Sequence, residues 1–155
     1  MAIYTSRYSN PELRNGEYVT VRISLGKPKW ELGYMLHCEI SVLMPFGLLG
    51  EDMSESEFRQ KYYSRLEKTG VARIAEGFRI IQSKYPNRDI VLLCYEDIRK
   101  EENWCHRSVF ADWWHDKTGE LIDELPDYGS QPKKAVLSEL KIQNTIPQTE
   151  QLSLF

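Results

Sequence analysis

The sequence predicts a single three-layer α/β domain, Rossmann-like around a mostly parallel central sheet, over residues 1–142, with a flexible tail over residues 143–155. Three observations lead there. Ile90-Val91-Leu92-Leu93-Cys94-Tyr95 is an apolar run without alternation, set between Asp89 and Glu96, as a strand buried on both faces requires. Two helical patterns stand directly before it and another follows it, the alternation that separates parallel strands. The 155 residues are 41% hydrophobic and 28% charged, a globular balance for one domain with a real core.

Taken in order, residues 2–5 can form a short first strand, and residues 6–11 read as a polar loop closed by Pro11. Residues 18–25 alternate, with Val19, Val21, Ile23 and Leu25 against Tyr18, Thr20, Arg22 and Ser24, as a strand with one face on the core does. Gly26-Lys27-Pro28 breaks it. Residues 39–44 are compatible with a further strand before Pro45 and Gly47. Ser54 followed three positions on by Glu57 is a capping box, so a helix is expected to about residue 68, with Phe58, Tyr62 and Leu66 inward and Gly70 as its stop. A second helix over residues 71–85 carries Ile74, Phe78 and Ile81 on one side, and Pro86-Asn87 ends it. Beyond the central strand, Val109, Phe110, Trp113 and Trp114 have helical spacing from about Cys105. Leu121 and Ile122 suit a short strand, and residues 132–142 a last helix with Pro132 in its first turn. Residues 143–150 are mostly Gln, Asn, Thr and Pro, with little to bury.

The net charge of −3 argues against unaided binding to nucleic acid through general electrostatics and leaves a local basic patch open. Three cysteines, no secretory leader and no long apolar run point to a reducing cytoplasm and to no membrane.

Ligands of open α/β sheets sit beyond the carboxyl ends of the strands, where Glu96, Cys105, His106 and Arg107 fall. A cysteine at a helix start is activated by the dipole and free amides, so these residues can supply a thiolate with an acid or base beside it. The bland alternative packs Cys105 inside and leaves His106 and Arg107 in solvent, with Glu96 a solvated loop acid. Adjacent helical residues diverge, so the triplet shares a site only if it straddles the helix start. Arg7, Arg22 and Lys27 are candidates for anion binding if their strands run parallel to residues 90–95, although Arg22 on an alternating strand can equally face solvent. Trp30, Tyr34 and Phe46 can stack on a base or plug the core. A phosphatase loop starting at Cys94 is rejected: Lys100 stands where arginine is needed and no glycine permits the cradle. Cys94 then reads as a small apolar residue at a strand end. Cys94, Cys105, His106, His37 and Cys38 offer soft metal ligands, but neither pair has a zinc-knuckle gap, so no metal and no cofactor are expected.

The last five residues, Gln151-Leu152-Ser153-Leu154-Phe155, put three apolar side chains after a polar stretch, which calls for a partner or for a groove on the same domain. They resemble the pentapeptide by which bacterial polymerases and repair proteins bind the sliding clamp, matching its preferred form at every position. The resemblance implies that Gln151 and Leu152 belong to the binding segment and that Leu154 and Phe155 fill an apolar pocket.

Leu92-Leu93-Cys94-Tyr95-Glu96, followed after a loop by Cys105-His106-Arg107, is similar to the signature of the bacterial DUF488 family. Tyr4-Thr5-Ser6 and Gly26-Lys27-Pro28-Lys29 fit that family more loosely, and the loop between Glu96 and Cys105 is longer here. The resemblance covers most of residues 2–125. It implies an α/β fold and one site made of Glu96, Cys105, His106 and Arg107, and names no reaction.

The two resemblances lead to an expected DNA-metabolism factor, bacterial or phage, that processes nucleotides or nucleic acid after recruitment to the clamp, with DNA close by. The alternatives are a non-enzymatic clamp ligand that excludes other partners, and a small-molecule enzyme whose tail packs on itself.

Overall fold

The computed structural model describes residues 1–48 and 53–130, together with the backbone of residues 152–154. Within these, six strands form one sheet: β1 (Ile3–Arg7), β2 (Val19–Arg22), β3 (Cys38–Ile40), β4 (Ile90–Cys94), β5 (Asp123–Glu124) and β6 (Leu152–Leu154). Their order is β5-β1-β4-β2-β3-β6, and every pairing is parallel. The helices are α1 (Glu55–Thr69), α2 (Val71–Lys84) and α3 (His106–Thr118).

β4 lies between β1 and β2 and is buried at every residue. Ile90 and Leu92 pack with the helices, while Val91 and Leu93 join a second apolar cluster on the opposite face. That double burial is why the segment shows no polar alternation. α1, α2 and α3 contribute Phe58, Tyr62 and Leu66, Ile74, Phe78 and Ile81, and Val109, Phe110, Trp113 and Trp114 to one core with the strands. The other layer is built from the 3-10 helix Pro11–Asn15 and the loop between β2 and β3, through Leu13, Leu32, Tyr34 and Leu36. Among the described residues this layer contains no α-helix, so the expected three-layer α/β domain has α-helices on one face of its parallel sheet and loops with a 3-10 helix on the other.

That loop layer changes the role of β2. One face of the strand was expected to be solvated, but all four residues are buried. Thr20 and Arg22 alternate with the valines because they meet internal polar partners: the Thr20 hydroxyl donates to the Met35 carbonyl, and Arg22 pairs with Glu39. Arg22 therefore does not face solvent. β1 also runs further than expected, because Ser6 and Arg7 pair with Leu93 and Cys94 where a loop was predicted. β3 is shorter than residues 39–44, giving way to the 3-10 helix Ser41–Leu43, and the last short strand falls at Asp123–Glu124, just past Leu121-Ile122.

The helices follow their sequence signals closely. The Ser54 side chain accepts the Glu57 amide, and Gly70, at φ 88°, lets α2 start immediately after α1. Gly119 closes α3 in the left-handed conformation. The predicted helix over residues 132–142 and the flexible stretch 143–150 lie outside the described residues. The backbone of Leu152–Leu154 runs parallel to β3, with Leu152 opposite Cys38 and Leu154 opposite Ile40. Among the described residues no helix is long and apolar enough to cross a membrane.

Candidate active site

With the strands parallel, the ends of β1, β2 and β4 open on one side of the sheet. A cleft of about 480 Å³ lies there, and Cys94, Glu96, Cys105 and His106 share its wall. β4 stops at Cys94, and a charged loop carries the chain back to α3. The loop is held by Asn103 Nδ2 donating to the Asp97 carbonyl (3.0 Å), and by Arg99 clasping the Asp97 carboxylate. Cys105 is the N-cap of α3, in extended conformation at φ −142°, and His106 and Arg107 are its first two helical residues. The triplet thus straddles the helix start. Cys105 and His106 line the cleft, while Arg107 lies beneath it, fully buried.

His106 Nε2 sits 2.7 Å from the Ile23 carbonyl. A carbonyl only accepts, so Nε2 carries a hydrogen, and in the tautomer with that single hydrogen Nδ1 holds the lone pair. That nitrogen lies 3.4 Å from Cys94 Sγ and 3.7 Å from Cys105 Sγ. The two thiols are coupled. Burial pushes Cys94 well above the ordinary thiol value, and the neighbouring Cys105 adds to this. Burial also opposes ionisation of Cys105, while the hydrogen bond from the Cys94 thiol and the charge of Arg107 favour it, and the net shift is well below the ordinary value. The Cys94 thiol also lies 3.3 Å from Glu96 Oε2. Desolvation raises the Glu96 carboxyl above its usual range, and the Cys105 thiolate reinforces the shift. An acidified thiol, a raised carboxyl and an imidazole nitrogen thus converge on one opening.

Arg107 is held by Glu124. Its Nε donates to Oε1 (2.9 Å) and its Nη2 to Oε2 (2.8 Å), while Nη2 also donates to the Glu96 carbonyl (2.8 Å). Burial works against the guanidinium charge, and the Glu124 hydrogen bonds more than compensate, so its pKa is raised. Glu96 meets Arg107 through its backbone oxygen and not through its carboxylate.

The other candidate cations are placed differently. Arg7 is buried beneath the loops, its Nε donating to Asp127 (2.6 Å) and its Nη2 to the Ser130 carbonyl (3.2 Å). Arg22 donates to the Ser24 and Leu25 carbonyls and pairs with Glu39. Internal carboxylates pair with both, and Arg7 Nη1 and Arg22 Nε are buried without a hydrogen-bond partner. Lys27 is exposed beyond β2. Tyr34 is a core plug whose hydroxyl donates to the Tyr8 carbonyl, Phe46 is exposed, and Trp30 packs 5.9 Å from Tyr95, which lines the cleft.

Three residues absent from the sequence-based site matter to it. Cys94, which along the chain reads as a strand-end filler, faces His106. Glu124 anchors Arg107, and Asp127 anchors Arg7. The acidic character of Asp123-Glu124-Leu125-Pro126-Asp127 after a predicted strand was the available signal for the last two. His37 and Cys38 stand apart from the cluster: His37 Nδ1 accepts the Thr20 amide (3.1 Å), and Cys38 is buried in the helical core.

No family model, curated protein or solved structure matches this chain.

Proposed function

We propose that this chain is a cytoplasmic DNA-metabolism factor whose cleft acts on a nucleotide or on nucleic acid, and whose residues 151–155 recruit it to the bacterial sliding clamp. The observation that carries the recruitment is the pentapeptide Gln151-Leu152-Ser153-Leu154-Phe155. The chemistry is supported by the convergence of Cys94, Glu96, Cys105 and His106 on one cleft wall, in the pattern that resembles the DUF488 signature. Tyr95 and Trp104 on the same walls are surfaces on which a base can stack. A tethered peptide raises the local concentration of DNA around a chain whose net charge of −3 gives it little affinity of its own. Three free cysteines suit a reducing compartment.

The pairing of Leu152–Leu154 with β3 favours a second reading, a small-molecule enzyme whose tail closes its own sheet edge. Calorimetry of the intact chain and Phe155→Ala against purified clamp separates the two. Binding near micromolar level that disappears in Phe155→Ala supports recruitment. No binding by the intact chain removes the clamp from the account. A non-enzymatic clamp ligand predicts the same binding with no function lost in Glu96→Gln.

A further inference from the structure

We propose that Cys94, Cys105 and His106 form a three-ligand zinc site whose fourth position opens into the cleft beside Glu96. Among the described residues these three make the one group of metal-ligating side chains whose donor atoms all lie within 4.8 Å of one another. Their spacing fits a tetrahedral ion. Bonds of about 2.3 Å to sulfur and 2.0–2.1 Å to nitrogen at the tetrahedral angle place sulfur and nitrogen about 3.5 Å apart. The corresponding separations are 3.4 Å from Cys94 and 3.7 Å from Cys105.

The imidazole is prepared for the role. Its Nε2–H donates to the Ile23 carbonyl, which fixes the ring and turns the Nδ1 lone pair towards both sulfurs. A metal-bound histidine commonly has such a carbonyl partner on its second nitrogen. Two sulfurs and one imidazole select a soft or borderline cation over magnesium or calcium. Two thiolates and a neutral ring balance a divalent charge, and the nearby Arg107 is already balanced by Glu124.

Zinc knuckles take both members of a ligand pair from one tight turn with a gap of about two to four residues, and the adjacent pairs His37-Cys38 and Cys105-His106 lack it, which along the chain argues against a metal. Here the end of β4 and the first turn of α3 bring the ligands together instead. Three protein ligands and one open position are the arrangement of catalytic zinc, where the fourth ligand is water. Glu96 is exposed on the cleft wall, 3.3 Å from Cys94, and its carboxylate is placed to accept a proton from that water. The assignment uses the cleft of the proposed function and does not depend on the tail.

The test uses the full chain, reduced and stripped with chelator, then titrated with Zn²⁺ against a chromophoric competitor and, separately, with Co²⁺. The expected result is one equivalent of tightly bound metal, with thiolate-to-cobalt charge-transfer absorption and the intense visible bands of a tetrahedral site. Cys105→Ser and His106→Gln should weaken binding by more than about 100-fold, beyond what an outer-shell change gives. Cys38→Ser and Glu96→Gln should keep the stoichiometry. The proposal is overturned if the reduced wild-type chain takes up no stoichiometric metal, or if the cobalt bands survive Cys105→Ser. Failure of the metal titration together with a Cys94–Cys105 disulfide after mild oxidation would mark a redox pair instead. Should Cys94→Ser not fold, the wild-type cobalt spectrum still decides. Neither readout involves the clamp, so a failure here and a failure of recruitment are separately visible.

Discussion

Glu124→Ala removes the carboxylate on which Arg107 depends. Arg107 is fully buried and donates two charge-assisted hydrogen bonds to that group, at 2.9 and 2.8 Å. Removing one member of a buried ion pair costs about 3–5 kcal/mol, because the other charge stays desolvated. The Glu124 side chain keeps 29% of its surface exposed, so water can reach the vacated position, and the lower figure of about 3 kcal/mol applies. The Thr5 hydroxyl, which donates to Glu124 Oε1 over 2.7 Å, loses its partner as well and adds about 1 kcal/mol. A total near 4 kcal/mol corresponds to a fall in Tm of roughly 8–16 °C for a chain of this size. Urea and thermal unfolding followed by circular dichroism would measure it on the wild type, Glu124→Ala, Arg107→Met and the double variant. The double variant should be more stable than Glu124→Ala alone, since it no longer buries an unpaired cation. A cost below about 1 kcal/mol for Glu124→Ala, or a double variant as unstable as the sum of the singles, would refute this account of Arg107.

Acid should weaken the fold in a window set by His37. Burial first, and then the charge of Arg88, lower its pKa from 6.5 to about 4, so the unfolded chain binds the extra proton and the stability present above pH 6.5 is lost as pH falls towards 4. The loss should be about 2–3 kcal/mol, seen as a falling urea midpoint between pH 7 and 4.5 that flattens in His37→Asn. Gly129→Ala should destabilise by about 1–3 kcal/mol in the same assay, because a Cβ there would stand 2.6 Å from Pro11 Cδ and push the segment off Arg7. A wild-type midpoint in that variant would show that the segment moves aside freely. Ser54→Ala should cost about 1 kcal/mol through loss of the α1 cap, and Ser54→Asp, which restores an acceptor for the Glu57 amide, should recover it.

Much of this fold is legible along the chain because its signals are local. The capping box at Ser54, the stop at Gly70 and the stripe of Phe58, Tyr62 and Leu66 concern neighbours within a turn or two, so the bounds of α1 and α2 follow from them. The unalternating run of β4 announces burial on both faces by composition alone, and the spacing of Val109, Phe110, Trp113 and Trp114 announces the helix that begins near Cys105. Whether the alternation in β2 faced water could not be read in this way. Thr20 and Arg22 look like a solvated face until the loop carrying Leu32, Tyr34 and Leu36 folds over them, and that covering depends on contacts remote in sequence.

The site divides along the same line. Glu96, Cys105, His106 and Arg107 could be placed beyond a strand end from their order in the chain. The inward turn of Cys94, the pairing of Arg107 with Glu124 and of Arg7 with Asp127, and the tautomer imposed on His106 by Ile23 required the assembled sheet. Composition and periodicity describe how each segment buries its own apolar side. Hydrogen-bond partners and ion pairs belong to pairs of segments: β1 meets β4 and β5, and α3 meets the end of β2, only once the parallel order is formed. The chemistry of the cleft follows from those meetings, since the Cys105 thiol is acidified by side chains from two elements and His106 is oriented by a third.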